Sequence, residues 1–142
     1  RSARCPVARF AAQLSIDDFM TSMQPEIVEM LDNQQTWQLA DMYWTADRQR
    51  LAHLSETDLL ELAEDHLQNF SLVGFTDTFA EDFCRVISAI GLPRPGRVPQ
   101  QLRTTDPILP LQLNPGTLAT LKDRLGLDYQ LYERARERRK QG

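Results

Sequence analysis

Residues 55–91, SETDLLELAEDHLQNFSLVGFTDTFAEDFCRVISAIG, read as helix, strand, turn and helix. Ser55 offers a hydroxyl to first-turn amides, and Asp58, three residues on, makes a capping box with Asp in place of the usual Glu or Gln. Leu59, Ala63, His66, Leu67 and Phe70 then share one helical face, while Glu56, Glu61, Glu64, Asp65 and Gln68 fall elsewhere. Phe70–Phe75 is apolar, too short for a helix and rich in strand formers. Thr76 and Asp77 close it and offer an N-cap to a second helix, whose stripe is Phe79, Phe83, Val86, Ile87 and Ile90; Gly91 stops that helix. A strand buried between two amphipathic helices is a piece of a layered domain. The expected class is therefore α/β, strongly helix-rich, with few strands of its own.

Working outward, 142 residues with 42% apolar and 25% charged side chains suit one soluble globular domain, residues 1–142. The net charge of 16 − 20 = −4 argues against nucleic acid as a partner. It is uneven: Glu133–Gly142 holds five basic and two acidic residues, net +3, leaving −7 for the remainder. No apolar run approaches the roughly 20 residues that span a bilayer and no signal-peptide core is visible, so no membrane segment and a cytoplasmic location are expected. Cys5 and Cys84 fit no metal or redox spacing; one disulfide and two buried thiols are the open readings. The chain opens on Arg1 rather than Met, which fits a processed product or a fragment.

Towards the N-terminus, Pro6 can open a helix on which Val7, Phe10, Ala11 and Leu14 share a face. Arg4 and Arg9 flank that proline, and guanidinium groups beside first-turn amides favour an anion such as phosphate; solvated arginines at a frayed end are the alternative. Ser15 and Pro25 mark two further helix starts. Asn33–Ala40 runs from amides into aromatics, with Tyr43 and Trp44 behind, and can either face a flat ligand or pack on the core. Thr45–Ser55 reads as an exposed connection.

Towards the C-terminus, five of the eight prolines fall in Leu92–Leu113, excluding a long helix or central strand there. Arg94, Arg97, Arg103, Thr104 and Thr105 make it the most basic, hydroxyl-rich loop, suited to an anion or to no ligand at all. Asn114-Pro115 starts a helix that Gly126 ends, and Asp128 is placed to cap the last helix, whose basic final turns suit the negative end of its dipole. His53 and His66 have no partner at ligand spacing, and His66 reads as a hydrogen-bonded core histidine. Neither a glycine-rich phosphate loop nor a nucleophile elbow is present.

Four segments together are similar to a known family. Arg4-x-Pro6-x-x-Arg9-x-x-Ala12, Asn33-x-Gln35-Thr36 with Gln38-Leu39-Ala40, Leu72–Asp77, and Leu127-Asp128-Tyr129-Gln130-Leu131-Tyr132-Glu133-Arg134-Ala135 follow one another in the chain. In that order they resemble the C-terminal half of sulfotransferases that use 3′-phosphoadenosine 5′-phosphosulfate, the branch of carbohydrate 2-O-sulfotransferases and their bacterial relatives. The resemblance implies a P-loop-like sulfotransferase fold, of which this chain is the C-terminal part. It also implies in-line transfer of a sulfuryl group to a hydroxyl of a carbohydrate or small molecule. On that reading Arg4 grips the 3′-phosphate, the Arg97–Thr105 loop with Arg103 and Thr104 closes over the nucleotide, and Gln35 and Trp37 line the pocket.

The departures are specific. Cys5 stands for the family's Asp, Asp77 for its Glu, and Ala12 for the Ser that donates to the 3′-phosphate, a loss of about 1 kcal/mol. The family's phosphosulfate loop and catalytic base precede the Arg-x-Pro segment, so no catalytic residue is assigned and the chain alone is expected to be inactive. A lone strand at Phe70–Phe75 leaves edges unpaired, and the expected partners are an N-terminal half of the domain or a second copy. The rival reading is a non-catalytic, helix-rich interaction domain that keeps the scaffold.

Overall fold

The computed structural model describes residues 6–42, 48–96 and 113–141. Among them every regular element is a helix: α1 (Pro6–Gln13), α2 (Ile16–Thr21), α3 (Pro25–Leu31), α4 (Gln34–Asp41), α5 (Arg48–Leu51), α6 (Glu56–Gln68), α7 (Phe79–Ala89), α8 (Pro115–Arg124) and α9 (Gly126–Gln141). They divide into two compact units, Arg1–Leu67 with Ile108–Gly142, and Gln68–Pro107.

Local chemistry sets most helix starts. Ser15 Oγ accepts from the Asp18 amide at 3.1 Å, and Asn114 Oδ1 accepts from the Thr117 amide at 2.8 Å ahead of Pro115. Ser55 and Asp58 close their box from both sides: Ser55 Oγ takes the Asp58 amide at 3.2 Å and Asp58 Oδ2 takes the Ser55 amide at 3.3 Å. The Ser55 hydroxyl, followed by its amide, holds the Asp58 carboxyl below its ordinary pKa. Gly126 follows the C-cap of α8, Leu125, and also opens the next helix: α8 stops at Arg124, and Gly126 is the first residue of α9.

The first unit buries its core where α4, α5, α6 and α9 meet. Ala40, Leu51, Leu59, Leu60, Ala63, Leu127 and Leu131 form the cluster, with Trp37, Leu39 and Leu67 packed on it. Ala63 and Leu59 belong to the stripe read from the sequence, and His66 joins it by donating Nδ1–H to the Leu39 carbonyl at 2.8 Å. α2 packs on α8 and α3 on α4. Asp17 in α2 receives the Thr117 hydroxyl and, at 3.2 Å, the Asn114 amide, so it caps α8 from another helix. The Thr117 hydroxyl is the main cause of the lowered pKa of Asp17.

Arg124 is the buried tie of this unit. Its Nη1 donates to the carbonyls of Met20 and Ser22, both at 2.9 Å, and its Nε donates to Asp32 at the end of α3. The Nη2 of Arg124 is buried with no partner among the described residues. One guanidinium thus collects the ends of α2 and α3 onto α8.

The second unit differs from expectation in two respects. Phe70–Phe75 is not a strand: Leu72–Phe75 runs with neither turn nor bend, and no strand pairs with it among the described residues. A ladder needs a neighbour, and the segment before Pro6 that was to offer one lies outside the described residues. Asp82 of α7 takes the Phe75 amide at 2.9 Å and the Thr78 hydroxyl at 2.6 Å instead. The apolar stripe of α7 is also only partly covered, with Phe79 51%, Val86 39% and Ile90 62% exposed and Phe83 and Ile87 half-buried, while Asp82 is the buried residue of that helix. Gly91 behaves as read. At φ 77° it takes the left-handed conformation, its amide meets the Ser88 carbonyl at 3.1 Å and the Leu92 amide meets Ile87 at 3.0 Å, which is a Schellman ending.

Candidate functional site

The N-terminus of α4 carries Gln35 and Trp37, the two expected pocket residues within the described chain. Asn33 precedes it in the left-handed conformation, φ 51° and ψ 41°, which asparagine tolerates better than most residues. That turn places its amide at 3.0 Å from the Arg124 carbonyl and its side-chain oxygen at 2.8 Å from the Leu127 amide and 3.2 Å from the Asp128 amide. Asn33 therefore caps α9, a helix more than ninety residues away in the chain.

Asp128 returns the arrangement. Its Oδ1 accepts from the Thr36 amide and the Thr36 hydroxyl, each at 2.7 Å, and its Oδ2 accepts from the Gln35 amide at 3.2 Å. It caps α4 and not its own helix, a correction to the sequence reading with a simple cause. Asp128 lies in the first turn of α9, where its own helix's amides already meet Asn33, leaving its carboxylate for the facing helix. Thr36 is fully buried at 0% exposure. The two helix N-termini thus interlock, each satisfied by a side chain from the other's start.

Around this lock, Arg48 lies with its guanidinium carbon 5.3 Å from the centre of the Trp37 ring. Its Nη2 donates to the Glu29 carbonyl at 2.6 Å and the Asp32 carbonyl at 2.7 Å, closing the C-terminal end of α3. Burial lowers the pKa of Arg48, with Asp32, Glu29 and Asp128 acting in the opposite sense. Arg48 falls in the stretch read as an exposed connection; an arginine eleven residues past a tryptophan gives no local signal that the two will stack.

Gln35 is exposed beside the lock, and Trp37 is half-buried between Arg48 and the core. The structure brings these two together at one helix end. Arg4, Arg97, Arg103, Thr104 and Thr105 lie outside the described residues. Chemically the α4 terminus is a filled anion position: the amides of Gln35 and Thr36 point at a carboxylate that the chain itself supplies. No group of three or more His, Cys, Asp or Glu side chains that could hold a metal occurs among the described residues. No helix there is long and apolar enough to cross a membrane.

Comparison with known proteins finds no matching family model, no matching curated protein and no matching solved structure.

Proposed function

We propose that the chain is the C-terminal portion of a sulfotransferase-like domain. The parent would transfer a sulfuryl group from 3′-phosphoadenosine 5′-phosphosulfate to a hydroxyl of a carbohydrate or small molecule. One observation carries the reading. Two of the segments on which the resemblance rests, Asn33-x-Gln35-Thr36 and Leu127-Asp128 through Leu131, form a single interlocked element although more than ninety residues separate them. Asn33 and Asp128, one from each segment, thus hold the two helix starts together. In this reading the lock fixes the start of α4, so that Gln35 and Trp37 face the nucleotide, with Arg4 and the Arg97–Thr105 loop supplying charge for the phosphates.

A second reading has its own support. The carboxylate of Asp128 occupies the amides of Gln35 and Thr36, and Arg48 lies over Trp37. Such roles are structural, and a non-catalytic interaction domain would keep them. Calorimetry with 3′-phosphoadenosine 5′-phosphate separates the two. The sulfotransferase reading expects weak binding that Arg4→Ala reduces at least about tenfold, since a charge-assisted hydrogen bond contributes roughly 1.5–3 kcal/mol. Absence of binding by the intact chain, or binding indifferent to Arg4→Ala, Gln35→Ala and Trp37→Ala, contradicts it and favours the interaction domain.

A further inference from the structure

We draw no further inference here: the strongest candidate, the apolar face of α7 where Phe79, Val86 and Ile90 are exposed beside a concavity lined by Gly74, Phe75 and Phe83, carries nothing because no feature of the structure shows what covers it.

Discussion

The two units solve the same problem, satisfying helix ends and covering apolar faces, in opposite ways. In the first, capping groups come from afar: Asp17 serves α8, Asn33 serves α9, Asp128 serves α4, and Arg124 gathers the ends of α2 and α3. In the second, the bonds that shape the start and end of α7 among the described residues are local. Asp82 holds Phe75 and Thr78, seven and four residues back, and a Schellman turn closes α7. Long-range caps bring long-range burial, and the first unit has a closed core. Local caps fix a helix and its leading turn but bring no distant segment with them, so Phe79, Val86 and Ile90 of the α7 stripe stay exposed. A chain segment can therefore be well formed and still not be self-sufficient.

The comparison breaks most sharply at Asp128. Asp128→Ala removes an ionised acceptor from two amides and a buried hydroxyl, and is expected to destabilise the first unit by about 3 kcal/mol. Chemical denaturation followed by dichroism measures this; a loss below about 1 kcal/mol would mean that water replaces the carboxylate and that the interlock is incidental.

Gly74 tests the second unit with a smaller effect. A Cβ there would lie 3.3 Å from Cβ of Asp82, so Gly74→Val crowds the residue that holds Phe75. The expected cost is about 1 kcal/mol, confined to the amides of 72–78, with the first unit's thermal transition unmoved. An equal shift in both units would show that they unfold as one.

The smallest effect is with acid. Asp17 and Asp58 both have pKa values lowered by hydroxyl donors, Thr117 and Ser55 respectively. A carboxyl depressed in the folded state contributes stability that is complete above its unfolded value, near 3.9, and is lost as pH falls through the lower folded value. The melting temperature is therefore expected to decline below about pH 4, and Asp17→Asn with Asp58→Asn should flatten that decline. An unchanged acid limb in the double variant would remove these two caps from the account.

Local signals were legible in the sequence. Ser15, Ser55, Asn114, Pro25 and Gly91 each announce a helix boundary within a window of three or four residues, and each stands at that boundary in the structure. His66 as a hydrogen-bonded core residue was legible from its place on the apolar face. What the sequence could not convey was who meets whom. Asp128 looked like a cap for its own helix because nothing near it names Thr36. Arg48 looked solvated because its partners, Trp37 and two carbonyls of α3, are contacts of the folded chain alone. Phe70–Phe75 has strand chemistry, but a strand is a relation between two segments, and no second segment among the described residues supplies it. The candidate site was legible as motif positions; that two motifs form one lock was not.

Native-state hydrogen exchange, at a concentration where the chain is monomeric, tests the contrast between the units most directly. The Thr36 amide, held by Asp128 at 2.7 Å within a fully buried residue, is expected to exchange only through global opening of the first unit. The Val73 amide, with no partner among the described residues, is expected to exchange at close to the rate of an unstructured chain. Protection of Thr36 no greater than that of Val73 would contradict the interlock, and with it the claim that distant caps close the first unit while the second is left open.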